Sequence, residues 1–520
     1  MMKDTCTVYD YKSSWGRYAF EDEENRFLSS DEKDLLKICD CIDLSGEVFK
    51  KTSGGIPVHY SNGKLYVLKE GPHARVEGES GSKKSRTVCR GAAVTAILNR
   101  DSFIVTDPKG EIYSDPKIRW LLHKAGVETY VLDFRSFDKD GVNPLSYAFE
   151  LLKQGKRSLA MASIDKFVSM LIQSHQGADD PYWNSQGGDM IKFSTQMLLT
   201  ALSQMEDGEK AFNLSSVKSF IRQNKEPVQN IMERMAKEEP DCNSIKGFNE
   251  IVNISADKTY SCVVSSANAL LSDFASSDEL LHMMSIQTVD IRKFYFRPCA
   301  LFLIIPDEHN TYNTLAGYLI DQFYQILVET FNEKYLNRRD PRCNIKFICD
   351  EAANLKINDM ASKVSASRSR KIDWTLIFQS ERQMAEAYKK DWSTICGNCK
   401  HRIYLGSSDY EILRNISEQI GISYISKDGR AVPLVSVDDL RRMRKENGFK
   451  DALILTGNYI YCAELPDYDV YEFLKSDGIA PEKRISRKKT CIYTPEDLYE
   501  DYYMRRINFS DTDTLFAEED

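Results

Sequence analysis

The stretch Gly78-Glu-Ser-Gly-Ser-Lys-Lys84-Ser85 follows His73-Ala-Arg-Val-Glu77, an apolar-edged run, and precedes Arg86–Leu98, which has helical spacing. Strand, glycine-bearing turn, Lys-Ser, helix is the order of a phosphate-binding loop. In such a loop successive backbone N–H groups wrap the phosphates, the lysine reaches the β and γ groups, and the hydroxyl ligates magnesium. Gly78, Gly81, Lys84, Ser85 and Arg86 are therefore the candidate nucleotide-binding residues, with Ser85 also a candidate metal ligand. One position departs from G-x-x-x-x-G-K-[ST]: Lys83 stands where the second glycine belongs. That position takes positive φ, which costs a residue with a Cβ about 1–2 kcal/mol. An extra cation beside a triphosphate offsets part of that cost. Alone, Gly-x5-Lys-Ser is equally a surface turn with two solvated lysines.

The second half of such a site is a buried strand ending in acids, and Asn344-Ile-Lys-Phe-Ile-Cys-Asp350-Glu351 supplies it. Asp350 is the candidate for the magnesium shell, and Glu351 for orienting and deprotonating the attacking water. The competing reading is a helix N-terminus with acids that suit its dipole. Arg368 and Arg370, in Ser365-Ala-Ser-Arg-Ser-Arg-Lys371, are candidates for an arginine offered to a neighbouring subunit's nucleotide, Arg368 first. A short basic run is otherwise a solvated turn. Gln379, at the end of the next apolar run, is a candidate γ-phosphate sensor.

Around these lie short apolar runs without alternation: Phe103–Asp107, Tyr130–Phe134, Ala300–Asp307, Ile345–Asp350, Trp374–Gln379, Arg402–Gly406 and Ala452–Thr456. They suit strands buried on both faces of a largely parallel sheet. Helical spacing is clearest over 314–336, where Leu315, Tyr318, Leu319, Phe323, Ile326, Leu327 and Phe331 share one face. Alternating strands and helices give an α/β class with ligands at the carboxyl ends of strands. The rhythm breaks between about 160 and 290, where helical pieces such as Met190–Met205 and Ser215–Arg222 surround a polar break at Gln173–Gln186. The expected organisation is a lead-in over 1–70, the front of a nucleotide-binding domain over 71–160, an all-α insertion over 161–290, the back over 291–475, and an acidic tail over 476–520.

Composition narrows the class. Hydrophobic residues are 42% and charged residues 28% of the 520, a globular balance. No apolar window is long enough to span a bilayer, and the first residues lack a signal-peptide core, so a cytoplasmic location is expected, with membrane contact only through a partner. A net charge of −9 argues against a nucleic-acid coat protein but is compatible with a basic pore. The 13 cysteines lack zinc-site spacing around Cys396-Gly-Asn-Cys399, so reduced thiols are expected.

In order along the chain, these segments resemble the TraG/TraD-type coupling proteins of type IV secretion and conjugation, in particular the branch found in Gram-positive mobile elements. The resemblance runs from about Ser14 to Phe473. It is carried by Ser53-Gly-Gly-Ile-Pro57, the loop, Asp107-Pro-Lys-Gly-Glu111, Asp133-Phe with Asn143-Pro-Leu145, Ala300–Asp307, Asp350-Glu-Ala-Ala-Asn354, Arg368-Ser-Arg-Lys-Ile372, Gln379-Ser, Tyr404-Leu-Gly-Ser-Ser-Asp409 and Leu434–Met443. It implies a RecA/FtsK-like P-loop NTPase fold with a mostly parallel central sheet and an inserted all-α domain. It implies ATP and Mg2+ as cofactors and a homo-hexameric ring. It also implies DNA, a relaxase and type IV secretion channel components as partners, and delivery of a relaxase-bound strand or another substrate to the channel. A DNA pump of the FtsK class shares the core, but Ile485–Asp520 is too short and acidic for its DNA-reading module. Two departures stand out. The family's leading transmembrane helices are not in this sequence, which implies a form recruited by a separate membrane anchor protein or a truncated one. Lys83 leaves open a non-catalytic docking protein of the same machinery.

Overall fold

Central strands of a parallel sheet must be apolar on both faces, because helices cover both. Every residue of Ser102–Thr106, Cys299–Ile304 and Ile345–Cys349 is accordingly buried. The computed structural model describes residues 27–45, 53–71, 73–175, 181–203, 205–222, 243–252, 257–275, 277–306, 310–335, 340–425, 431–443, 445–446, 449–475, 490–498 and 500–501. Its strands are β1 (Phe27–Leu28), β2 (Cys39–Asp43), β3 (Pro57–Ser61), β4 (Lys64–Leu68), β5 (Ala74–Glu77), β6 (Ser102–Thr106), β7 (Glu128–Asp133), β8 (Cys299–Ile304) and β9 (Ile345–Cys349). Then come β10 (Ile372–Phe378), β11 (His401–Tyr404), β12 (Ile422–Ile425), β13 (Ala431–Pro433), β14 (Lys445–Glu446), β15 (Phe449–Thr456) and β16 (Tyr459–Pro466).

The chain divides into two compact units. One comprises Met1–Val131, Ile291–Asp307 and Leu327–Glu482. Its sheet runs β1-β16-β15-β11-β5-β10-β9-β6-β8-β7, with β14 paired to β15. β5 is parallel to both β10 and β11, and β9 is parallel to β10 and β6. The strand β10 thus stands between β5, which feeds the glycine loop, and β9, which ends at Asp350. The expected last run, Ala452–Thr456, lies within β15 and is antiparallel to β11. β15 and β16 form a hairpin joined at Thr456-Gly-Asn-Tyr459, and a two-residue connection forces antiparallel pairing.

The lead-in holds structure that the apolar-run criterion passed over. β2, β4 and β3 make a small antiparallel sheet. Its turn is Asn62-Gly63, both at positive φ (51° and 73°), the backbone a tight hairpin demands. The signal was present in Val58-His-Tyr-Ser-Asn-Gly-Lys-Leu-Tyr-Val67, an Asn-Gly pair between alternating residues.

The second unit comprises Leu132–Asp290, Glu308–Ile326 and Lys483–Asp520. Between β7 and β8 its described elements are helices, including Arg157–Ser174, Pro181–Leu202, Leu214–Arg222 and Asp257–Leu271. The polar break expected over Gln173–Gln186 is shorter than that, because helix extends to Ser174 and resumes at Pro181. Gly187 and Gly188 are both buried inside the helix Pro181–Leu202. A Cβ at Gly187 would lie 2.7 Å from the Ala267 backbone nitrogen, and one at Gly188 2.6 Å from Ile172. Glycine there permits close helix approach rather than ending the helix. The motif Asn143-Pro-Leu145 has a packing role in this unit. Asn143 Nδ2 donates to the Phe212 carbonyl at 2.7 Å, and the Pro144 carbonyl accepts from Gln322 Nε2 at 2.8 Å.

Among the described residues no helix is long and apolar enough to cross a membrane. Every described cysteine is a free thiol, and among the described residues no cluster of metal-ligating side chains occurs. The Ile485–Asp520 tail lies largely outside the described residues.

Candidate nucleotide site at the end of the central strands

Gly78 leaves β5 where no side chain fits: a Cβ would lie 2.5 Å from Ser82 Oγ and 2.9 Å from Leu405 Cβ. The chain then curls through Gly81 (φ 75°) and Lys83 (φ 66°) into the helix. Lys83 therefore takes the left-handed backbone of the glycine it replaces, and the loop keeps its turn. Lys84 is buried, and its ammonium donates to the Gly78 and Glu79 carbonyls at 2.6 and 3.1 Å. Ser85–Cys89 forms a single π-helical turn before the α-helix Arg90–Asn99. Such widened turns recur at functional sites.

The loop after β11 grips the entry to this turn. Glu79 N donates to the Gly406 carbonyl at 3.2 Å, and the Glu79 carboxylate accepts from Ser408 N at 2.9 Å. Beneath it, buried Glu77 pairs with Arg402 at 3.2 Å and accepts from Glu381 N at 3.1 Å. Arg402 also pairs with Glu381, as does Arg75. Burial and the nearby Glu381 charge push the Glu77 carboxyl upward, and Arg402 opposes them. This network joins the last residue before the loop to the helix that follows Gln379. The sequence reading did not single out Glu77, Arg402 or Glu381, because three strands separated in sequence bring them together.

Across β10, Asp350 presents a carboxylate to the loop. Ser85 Oγ donates to Asp350 Oδ2 at 2.8 Å, between residues 265 apart in sequence. Burial pushes the Asp350 carboxyl upward, and the hydrogen bond from Ser85 and the Lys84 charge counter it. Glu351 follows in a left-handed backbone (φ 52°), a conformation that non-glycine residues hold mainly where surroundings enforce it. Its carboxylate accepts from Gln379 Nε2 at 3.1 Å. Gly78, Gly81, Lys84, Ser85, Asp350, Glu351 and Gln379 are thus gathered at the carboxyl ends of β5, β9 and β10.

Three predicted residues stand elsewhere. Arg86 turns to the residues after β16, where it pairs with Asp467 at 2.7 Å and with Asp469. Tyr468, between those aspartates, lies against Arg90 at 4.9 Å from the ring centre. Arg368 and Arg370 precede β10, at the amino ends of the strands, opposite the loop at their carboxyl ends. The seven residues of β10 separate the two ends by about 20 Å at ~3.3 Å per residue. Arg368 does not meet the Lys84 site of its own chain.

Asp107, at the end of β6, is a further acid that the sequence quoted only as part of a motif. Its carboxylate accepts from Ile112 N and Tyr113 N at 2.9 and 3.0 Å and closes the Pro108–Glu111 turn. Burial raises it to about 6 despite those two donors. A raised carboxyl favours the folded state below its unfolded pKa, and that gain is lost as pH rises through about 6. Asp107→Asn, whose amide oxygen can still accept, is therefore expected to gain about 2 kcal/mol at pH 7.5 relative to its effect at pH 4. Urea unfolding of both proteins at the two pH values checks this, and an equal effect at both would refute it.

No curated protein sequence is significantly similar to the chain. Among solved structures, the plasmid coupling protein TrwB in complex with a non-hydrolysable ATP analogue superposes with a TM-score of 0.52 at 14% identity. The match covers 89% of this chain and 95% of that one. TrwB in complex with ADP and Mg2+ gives 0.51 at 14% identity, over 89% and 96% of the two chains. At that identity the likeness is one of fold: a mostly parallel P-loop NTPase sheet with a helical insertion. Residues 34–447 match the family described as Type IV secretory system conjugative DNA transfer. The chain belongs to that family, as a conjugative coupling protein of the TraG/TraD type.

Proposed function

We propose that this coupling protein is an ATPase, recruiting a relaxase-bound DNA strand or a protein substrate and delivering it to the secretion channel by ATP hydrolysis. The observation that carries this reading is the Ser85–Asp350 hydrogen bond beside buried Lys84. A hydroxyl and a buried carboxylate with raised proton affinity, side by side, match the donor set magnesium takes in this fold. Bound there, magnesium would neutralise charge on the β and γ phosphates. Lys84 would exchange the two loop carbonyls for phosphate oxygens, a stronger, charge-assisted pairing. Glu351 would accept the proton of the attacking water, with Gln379 holding its carboxylate in place. Arg368, remote from its own site, suits a role at the site of a neighbouring subunit in a hexamer. A basal location at the membrane through a partner fits this role.

The test is ATP hydrolysis with and without single-stranded DNA at high protein concentration, beside a nucleotide titration. Turnover that DNA stimulates is expected. ATP binding without turnover, or no binding, would instead favour the non-catalytic docking protein.

On this reading Lys83 does not by itself decide between the two. It holds the required φ within the folded loop, so Lys83→Gly should change ATP affinity by less than about tenfold. The relief of about 1–2 kcal/mol of strain is opposed by about 0.5–1 kcal/mol of added glycine entropy. Calorimetric titration of both proteins measures it, and a gain of a hundredfold or more would show that the lysine distorts the loop.

A further inference from the structure

We propose that His73 is a positioning residue, which fixes the helix end that presents Arg368 to the nucleotide of a neighbouring subunit. This rests on the proposed role of Arg368 in trans. His73 does not touch the nucleotide site of its own chain. It precedes β5, at the amino ends of the strands, whereas the glycine loop leaves β5 at the carboxyl end.

The His73 ring is 2% exposed, and both its nitrogens are bonded to backbone. Nδ1 accepts from Trp374 N at 3.1 Å, so the proton of the neutral ring sits on Nε2, which donates to the Val364 carbonyl at 2.7 Å. Burial lowers the proton affinity of the ring, against the pull of the Val364 carbonyl and Asp373. The His73 carbonyl accepts from His401 N at 3.2 Å. One residue thus ties β10 and β11 to the helix Met360–Ser367. The tie falls in the last turn of that helix, where carbonyls run out of intrahelical partners.

Arg368 follows that helix directly and opens the short turn Arg368–Arg370. The backbone on either side of it is held. Trp374 Nε1 donates to Ser367 Oγ at 2.8 Å, and the Tyr295 hydroxyl donates to the Arg370 carbonyl at 2.7 Å. Arg370 turns its own guanidinium back to the Ala366 carbonyl at 2.8 Å. The Arg368 side chain is exposed, and no acid pairs with it among the described residues. Its Nε lies 3.8 Å from where a Cβ on Gly71 would stand, beside the approach to His73. A free guanidinium on a fixed backbone suits an arginine that acts on another molecule, because less ordering remains to be done when the two meet.

A histidine that merely completed the core would affect the whole subunit that carries it, whereas one that positions Arg368 affects the site of the neighbour. Mixing full-length subunits separates the two. Glu351→Gln subunits keep Arg368 but lack the base, and Arg368→Ala subunits keep the base but lack the arginine. Mixed, they should regain ATP hydrolysis, since some interfaces pair an intact base with an intact arginine. His73→Phe, which keeps a ring without either hydrogen bond, is then added to one partner at a time. In the Glu351→Gln partner it should lower the regained rate about tenfold or more, and in the Arg368→Ala partner less than about twofold, since an ångström of misplacement can cost on the order of 100-fold. His73→Gln, whose amide can still donate to the Val364 carbonyl, should restore most of that rate. His73→Asn keeps an acceptor for Trp374 N without reaching Val364. It should show the same asymmetry, and it serves where circular dichroism finds the phenylalanine variant misfolded. Equal losses in both placements, or no loss in the first, would overturn the role of His73. No regained hydrolysis from the mixture without His73 changes would instead remove the action of Arg368 in trans, and the proposal with it.

Discussion

Glu351→Gln is expected to lower ATP turnover about 10²–10⁴-fold, the usual loss when a general base is removed, while leaving ATP affinity within a few-fold. The amide is isosteric and can still accept a hydrogen bond from Gln379 Nε2, which now reaches Glu351 at 3.1 Å. The left-handed backbone at 351 is unchanged by the substitution, so the strand end and Asp350 keep their places. What disappears is the capacity to take a proton. Steady-state hydrolysis with saturating single-stranded DNA gives the rate, and nucleotide titration gives the affinity. Because the change acts on the chemical step alone, affinity and rate must separate. A rate within threefold of the parent would remove Glu351 from the chemistry. A parallel fall in affinity would mean that its role is to hold the site together.

The second large effect is on stability. Lys346, on β9, is 7% exposed and pairs with Glu70 at 2.9 Å and Asp373 at 2.7 Å. Asp101 is close by, pushed up to about 7 by burial and by the Glu70 charge, with Lys346 opposing. Asn344 and Gly54 complete the cluster by donating to Glu70 at 2.9 and 2.6 Å. Lys346→Met fits the volume but leaves buried carboxylates without their cation, and is expected to cost about 3–5 kcal/mol. The deficit should shrink as pH falls. Without lysine the folded-state carboxyl pKa values rise further, so their penalty is present at neutral pH and disappears as protons bind. Guanidinium unfolding at pH 7.5 and pH 5 checks both size and sign. A loss below 1 kcal/mol, or one that grows at pH 5, would show that the cluster is solvated. This centre lies at the amino ends of the strands, away from the nucleotide site, so ATP affinity per folded molecule should be unaffected.

Much of the fold was legible because parallel sheets write themselves plainly. A strand buried on both faces has no polar face to disguise it, so Phe103–Thr106, Ala300–Ile304 and Ile345–Cys349 announced themselves. Half-exposed strands gave weaker signals. β2, Cys39-Asp-Cys-Ile-Asp43, mixes polar and apolar residues without strict alternation over a length too short to stand out, and the mostly buried β4 was recognisable only through its Asn-Gly turn. In the helical unit, Gly187 and Gly188 lie inside a helix and let neighbouring helices approach closely, a use of glycine that only the packing reveals.

The site divides along the same physical line. The local sequence determined the glycine turn, Lys84, Ser85 and the acid pair after β9, because each depends on chemistry within a few residues of one strand end. It also supplied the family, through motifs in a fixed order. Only the tertiary structure decided what depends on strand order. It put β10 between β5 and β9, so that Gln379 meets Glu351, and it brought Ser85 to Asp350 across 265 residues. It turned Arg86 to Asp467 and set Arg368 at the amino ends of the strands, away from the loop. Above all, it settled the conformation of Lys83. A sequence states that a side chain occupies a glycine's place. Which backbone region that residue takes is a property of the packed loop, and in this protein Lys83 holds φ 66°.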